Sequence, residues 1–176
     1  MRIFKGFTML LVLMLCVALA NAQADRVTVH VLAPMRDGFI DTSKGIQDSI
    51  KDVSSRLEKM REFQLVDTRE KAEIVLTVIT RGVGVEAYGQ RMSYREYFNN
   101  TILTSEPVLT STYWVTTVME VGQYRKELLG SRTRGGSSSI SMGAWGGCAE
   151  QITDDLKAWV VANREQLRQR RKTAQP

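Results

Sequence analysis

The single histidine of the chain, His30, limits the catalytic chemistry that the sequence can support. Multi-histidine metal sites are excluded, and Ser-His and Cys-His nucleophilic pairs lose their usual base. His30 follows an alternating pattern of apolar residues, which predicts a position on the less apolar face of a strand. We therefore interpret it as a sheet residue, and hydrolase and zinc-enzyme functions are not predicted.

Two groups of carboxylates are close enough in sequence for acid and base chemistry. Asp67, Glu70 and Glu73 lie in a polar turn, and Asp154 and Asp155 lie near the start of the last predicted helix. Paired carboxylates act as acid and base when burial separates their pKa values. Solvation and helix capping explain both groups here, so we predict no catalytic residue and no metal site.

A glycine- and serine-rich connector, residues 130–147, precedes the last predicted helix. Because helix amino termini attract anions, a phosphate could bind here if the connector carried a phosphate-binding motif. No Lys-Ser or Lys-Thr follows the glycines at P-loop spacing, and the Gly82-Val83-Gly84 stretch lacks the third glycine of a dinucleotide fingerprint. The sequence predicts a flexible connection and no cofactor.

The first 24 residues have the order of a secretory signal peptide. Arg2 and Lys5 precede an apolar run of about 12 residues, shorter than the roughly 20 that span a membrane. Cleavage is predicted after Ala24, or alternatively after Ala22, and a retained anchor is the competing interpretation. Leu15 before Cys16 disfavours a lipoprotein. We predict a periplasmic or secreted protein.

Cys148 is the only cysteine that remains after removal of the leader, so no internal disulfide can form. It stands at the predicted start of the last helix, where the helix dipole could lower the pKa of a thiol. A lone cysteine is more often a small buried hydrophobic residue. We predict that its role is structural.

A stretch of alternating aromatic and basic residues is the strongest candidate for binding. Tyrosine and arginine are enriched in binding hot spots because they bury large areas and keep a polar tip. The candidate partner surface consists of Tyr88, Arg91, Tyr94, Arg95, Tyr97 and Phe98. The alternative is that this weakly structured excursion folds back and covers a sheet edge.

Hydrophobic periodicity predicts the regular elements. Residues 26–33 alternate as a half-buried strand, residues 42–61 carry an apolar stripe at helical spacing, and residues 63–66 and 74–79 form two further strands. Strands 108–121 and 124–129 follow, joined by a tight turn at Gly122 and Gln123.

A last amphipathic helix runs to Leu167, and we predict that Trp159 anchors it to the sheet. The order β-α-β-β-β-β-α predicts an α+β fold with a largely antiparallel sheet and two amphipathic helices on one face. One domain spans residues 25–167, and the basic residues 168–176 are predicted to form a flexible tail that could touch an anionic membrane surface weakly.

The segment Phe63-Gln64-Leu65-Val66-Asp67, followed by a charged turn and the strand 71–78, resembles a pattern in bacterial envelope domains. The TolB amino-terminal domain and the CsgG-like group are similar in element order over residues 26–165. Members of those groups look like docking parts of envelope assemblies. The resemblance therefore implies an interaction role and carries over no functional residue.

Composition supports the same functional class. The net charge is +5, or +3 once Arg2 and Lys5 leave with the leader, which does not indicate a nucleic-acid partner. With 43% apolar residues, the chain can build an ordinary core. We predict a non-catalytic exported protein that binds a macromolecular partner in the cell envelope. A periplasmic carrier of a small ligand or lipid is the alternative, and an enzyme of unfamiliar type is the third possibility.

Overall fold

A computed structural model describes residues 26–97, 100–135 and 143–174, with side chains inside 88–106 outside the description. The strands are β1 (Val27–Leu32), β2 (Met35–Arg36), β3 (Phe39–Ile40), β4 (Phe63–Leu65), β5 (Ile74–Tyr97), β6 (Asn100–Val121) and β7 (Tyr124–Gly135). The helices are α1 (Lys44–Leu57), α2 (Ala144–Ala162) and α3 (Arg164–Ala174), with a short 3-10 helix at Arg69–Lys71.

Five strands form one mixed sheet in the order β4-β1-β5-β6-β7, which confirms the α+β class. β1 is parallel to both β4 and β5, because α1 returns the chain to the end at which β1 began and Phe63 pairs with Val27. β5, β6 and β7 are antiparallel, and Gly122, with φ +60°, forms the predicted turn between the last two.

The core lies between the sheet and the helices. Val29, Leu76 and Met119 from the sheet are fully buried, as are Val53 of α1 and Leu156 of α2. α1 packs on β1, β4 and β5, α2 packs on β6 and β7, and the two helices touch each other. This confirms that both predicted amphipathic helices cover one face of the sheet.

β5 and β6 extend far beyond the strands predicted from the sequence. β5 has 24 residues, which at about 3.3 Å per residue span about 80 Å. The 19 residues of α2 span only about 29 Å. The two strands therefore project past the helical layer as an arm, residues 82–97 and 100–114. The sequence had predicted a strand only from residue 108 in this region and a weakly structured excursion before it.

The carboxyl-terminal segment differs from its prediction. The backbone breaks at Asn163, whose side-chain amide donates to the Trp159 carbonyl at 2.8 Å, and α3 then runs to Ala174. Leu167 is buried, and Arg171 forms two hydrogen bonds to the Glu73 carboxylate, at 2.6 and 2.8 Å. Arg170 also donates to the Val121 carbonyl at 2.9 Å, so residues 168–174 are helical and bonded to the domain where a flexible tail was expected.

A small two-stranded hairpin, β2–β3, joins β1 to α1 and was not predicted. Its turn is formed by Asp37 and Gly38, with φ values of 51° and 83°. Positive φ at both central residues is the requirement of a type I′ turn, for which Asp-Gly is a favoured pair. The Asp37-Gly38 dipeptide indicated a turn in the sequence. Strands of two residues are too short to show an alternating pattern of apolar residues.

Candidate partner-binding surface

The predicted partner surface lies in the outer part of the arm. Tyr88, Arg91, Tyr94, Arg95 and Tyr97 belong to the strand β5, and each of residues 91, 94, 95 and 97 pairs with a residue of β6. Their side chains are outside the description, and Phe98 is outside the described residues altogether. Their contacts therefore remain a prediction, while the inner part of the arm is described in full.

The inner arm exposes apolar side chains on the helix-side face of the sheet. Arg81 pairs with the buried Val115, and Val83 pairs with Tyr113, so the odd-numbered residues of this stretch continue the face that carries the core. Val83 and Val85 are 51% and 60% exposed, and Leu109 of β6 is 49% exposed. These aliphatic side chains lie in a row beyond the helices. They form an apolar strip that none of the described side chains of the protein covers.

On the opposite face of the inner arm, the ring of a tryptophan packs over two glycines. Trp114 of β6 pairs with Gly82 of β5, and its indole ring lies so close to Gly82 that any side chain there would collide with it. The same ring lies over Gly84. An aromatic ring that covers cross-strand glycines replaces the missing side-chain packing and holds the strand extended.

Arg81 fixes the start of the arm to both helices. Its guanidinium lies 3.9 Å from the centroid of the Trp145 ring on α2 and donates to the Gly45 carbonyl of α1 at 3.0 Å. Tyr113 of β6 meets the same tryptophan edge to face, with ring centroids 5.0 Å apart. The inner end of the arm is therefore anchored by side chains from three elements.

The β2–β3 hairpin adds a second group of exposed apolar residues beside the arm. Met35, Phe39 and Ile40 are 71%, 77% and 63% exposed. Arg36 in the same hairpin donates to the Ile79 carbonyl of β5 at 3.1 Å. That bond places the hairpin at the point where β5 leaves the helix-covered region.

The residues considered for catalysis have structural contacts. The Nδ1 atom of His30 lies 2.9 Å from the Val66 carbonyl oxygen. Glu73 accepts from the backbone N–H of Thr28 and from Arg171, so its carboxylate joins the sheet to α3. Asp154 and Asp155 are exposed on α2. A hydrogen bond from the Glu70 backbone N–H lowers the pKa of its own carboxyl group.

Cys148 is fully buried on α2, and its thiol lies 3.5 Å from the Tyr113 carbonyl oxygen. Burial raises the pKa of this thiol, and the smaller opposing effects come from Arg132 and Arg81. A protonated, enclosed thiol is a packing residue, which agrees with the structural role predicted for it.

Trp159 is half-buried rather than fully buried. Its ring stacks on Tyr124 of β7, with centroids 5.4 Å apart and planes 21° from parallel, and it packs against the core. α2 therefore does meet the sheet through this residue, at the edge of the core rather than in its centre.

A groove of about 530 Å³ opens at the other end of the molecule, where β1 begins. It lies between the turn that joins α1 to β4, the end of α2, and α3. Its lining is mostly apolar, with Val160 and Leu167 among the lining residues. Five arginines surround it: Arg26, Arg61, Arg164, Arg168 and Arg171. We call this feature the basic groove. Glu62 also lines it, and a hydrogen bond from Lys157 lowers the pKa of its carboxyl group.

Within residues 26–97, 100–135 and 143–174, no cluster of three or more His, Cys, Asp or Glu side chains could hold a metal ion. None of the helices in these ranges is both long enough and apolar enough to cross a bilayer.

Comparison with known proteins identifies the fold. No family model and no curated protein sequence matches the chain. Rare lipoprotein B from Shewanella oneidensis is similar in structure, with a TM-score of 0.50, 12% sequence identity and coverage of 78% of this chain and 98% of that protein. A hypothetical protein from Chlamydia trachomatis aligns with a TM-score of 0.39 and 11% identity, over 78% and 99% of the two chains.

At 12% identity, the likeness to rare lipoprotein B shows a shared fold. A lipoprotein with this fold loosely fits the broader prediction of a bacterial envelope α/β domain. The narrower resemblance to the TolB amino-terminal domain and the CsgG-like group is not shown by that fold and stays a prediction.

Proposed function

We propose that this protein is a non-catalytic component of the bacterial cell envelope that binds a macromolecular partner through the arm. The observation that carries the proposal is the apolar strip of Val83, Val85 and Leu109, which leaves the helical layer and stays exposed. Contiguous exposed apolar surface is uncommon on a monomeric protein without a binding role.

Three further features support the proposal. Phe39 and Ile40 add exposed apolar surface next to the arm. The contacts of His30, Cys148 and Glu73 are structural, which favours a non-catalytic protein. The fold is shared with a protein named as a lipoprotein, which favours the envelope as the location.

Affinity capture from solubilised envelope fractions tests this function. We expect the wild-type protein to retain a saturable envelope protein, and a triple variant with Ser at positions 83, 85 and 109 to lose at least about 90% of it. Leu129→Ser on β7 is the matched control, since Leu129 is 49% exposed and lies outside the arm. Equal capture by both variants, or no saturable capture by the wild type, would overturn the proposal.

The basic groove favours a second candidate function, that of a carrier for a small anionic amphiphile. Its volume lies within the range of about 300–1,000 Å³ that ligand sites occupy, and arginines around an apolar lining match a charged head group on an acyl chain. The predicted weak contact with an anionic membrane surface involves the same end of the molecule, through Arg168 and Lys172.

Binding of the fluorescent fatty acid cis-parinaric acid distinguishes the two functions. A carrier would bind it at a one-to-one ratio, and Arg61→Glu together with Arg164→Glu would weaken binding by at least about tenfold. Sedimentation with anionic vesicles of phosphatidylglycerol then measures surface binding separately, because such binding is lost as salt rises. Absence of both signals leaves partner binding as the function.

Export is the remaining part of the proposal. The charged start, short apolar run and alanines of residues 1–24 support removal of a signal peptide. Amino-terminal sequencing of the protein from its host should read Asp25, or Gln23, as the first residue. A mature protein that begins at Met1 would contradict it.

A further inference from the structure

β5 has a free outer edge where it enters the arm. β1 pairs with β5 only as far as Leu32 and Thr77, and Pro34 then follows, which has no backbone N–H and ends the strand. β5 continues for 20 more residues with β6 on its other side. Within the described residues, no strand occupies the position beside β5 that β1 leaves.

One segment of this edge, Thr80–Ala87, is regular. Register shifts in the β5–β6 pairing lie between Val78 and Thr80 and again between Ala87 and Gln90, so irregular backbone bounds eight residues of continuous pairing. Bulges bend and twist a strand, and the stretch between two of them is where another strand can pair without interruption. We call Thr80–Ala87 the edge segment.

The edge segment is ordered before any partner arrives. The Trp114 ring covers Gly82 and Gly84 from one side, and Arg81 is fixed to α1 and α2 on the other. An ordered strand loses less conformational entropy on pairing than a loop would. Glycines in a strand also permit the close approach of another backbone.

The valines of the edge segment lie on one face of the strand, opposite the face that the Trp114 ring covers. Val83 and Val85 project from its helix-side face, and Phe39 and Ile40 are exposed in the hairpin that Arg36 ties to Ile79 at its start. A strand added beside β5 would therefore lie between these two groups. Every second residue of that strand would have to be apolar, because side chains alternate between the faces of a sheet.

We infer that the edge segment binds an extended strand of the envelope partner by β-augmentation, in the position that β1 vacates. The partner strand is about eight residues long and apolar at alternate positions, which meet Val83 and Val85. Main-chain hydrogen bonds to β5 provide the binding, and the apolar positions provide its selectivity. This inference rests on the proposed function and specifies how the arm meets its partner.

Site-specific photocrosslinking in the envelope tests the inference with the full-length chain. Benzoylphenylalanine is placed at Val83, at Val85 and, as a control, at Leu129, and crosslinked peptides are mapped by mass spectrometry. We expect positions 83 and 85 to label one segment of one envelope protein at sites two residues apart, and position 129 to leave it unlabelled. Hydrogen exchange of the purified complex should show slower exchange for the outward amides of Thr80–Ala87.

A second variant separates strand addition from other modes of binding. Lysine at an edge strand opposes pairing with a further strand. Glu86→Lys together with Val85→Lys should therefore reduce crosslinking from position 83 at least about tenfold, while Leu129→Lys leaves it unchanged and both proteins keep their circular dichroism spectrum.

Four outcomes would overturn the inference. Crosslinks from position 83 that survive the lysine variant would show contact without strand pairing. Crosslinks to a second copy of this chain would show self-association at this edge instead of an envelope partner. Capture of an envelope protein that Leu109→Ser abolishes, but that Val83→Ser with Val85→Ser leaves intact, would retain the proposed function and reject β-augmentation. No crosslink and no capture would reject both.

Discussion

The two halves of β5 lie in opposite environments. At its start, Ile74, Leu76 and Val78 are fully buried between the sheet and the helices. Less than ten residues later, Val83 and Val85 continue the same face of the same strand and are more than half exposed. The difference arises from the helical layer, which covers the first half and ends before the second. The buried half stabilises the fold, and the exposed half is available to a partner.

Truncation of one residue in each half gives the largest expected contrast. Leu76→Ala should lower the free energy of unfolding by about 3 kcal/mol, because it leaves a cavity in a closed core. Val85→Ala should change it by less than about 0.5 kcal/mol, as for other exposed positions. Urea denaturation followed by circular dichroism measures both. Similar losses for the two variants would show that the arm is part of the cooperative core.

The contact between α2 and β7 tests how closely the part of the sheet that the helices cover is packed. A side chain at Gly130 of β7 would collide with the Cys148 carbonyl group of α2, so Gly130→Ala should cost about 2–3 kcal/mol. Gly146, in the same helix, has open space around it, and Gly146→Ala should stabilise the protein by up to about 1 kcal/mol through helix propensity. Thermal denaturation of the pair checks the assignment, and a neutral Gly130→Ala would contradict it.

The ion pair between Arg171 of α3 and Glu73, the residue before β5, tests how much α3 contributes to stability. The side chains of Arg171 and Glu73 are 28% and 23% exposed, so Arg171→Gln should cost about 1.5 kcal/mol. Arg69 forms a similar ion pair with Glu120 at 2.7 Å, but its side chain is 61% exposed, and Arg69→Gln should cost less than about 0.5 kcal/mol. Chemical denaturation compares the two, and equal effects would show that α3 contributes no more than a surface contact.

Loss of the Trp114 ring should have a small effect on global stability and a local effect on the arm. Trp114→Ala should cost about 1 kcal/mol in denaturation, because the ring covers glycines outside the closed core. Native-state hydrogen exchange should become faster in residues 80–87 and stay unchanged in the buried half of β5. Faster exchange throughout β5 would show that the two halves open together.

Periodic patterns in the sequence predicted the part of the fold that the helices cover. The rest of the fold depends on contacts between residues far apart in the chain. The apolar stripe of α1, the alternation of β1 and the turn at Gly122 depend on local sequence and are confirmed. Residues 82–107 contain glycines, serines and threonines that indicated a loop, because the Trp114 ring that covers Gly82 lies 32 positions away along the chain. The binding of Arg171 to Glu73, 98 positions apart, left no local signal either.

The closeness of the two ends of the described chain has a consequence for the order of folding. Arg171 donates to the Arg26 carbonyl oxygen at 2.8 Å, across a separation of 145 positions. Contacts between such distant positions form late, because the whole intervening chain must first be brought together. The bond between residues 26 and 171 therefore forms late in folding, and a partly folded chain lacks it until α3 has packed against the start of β1.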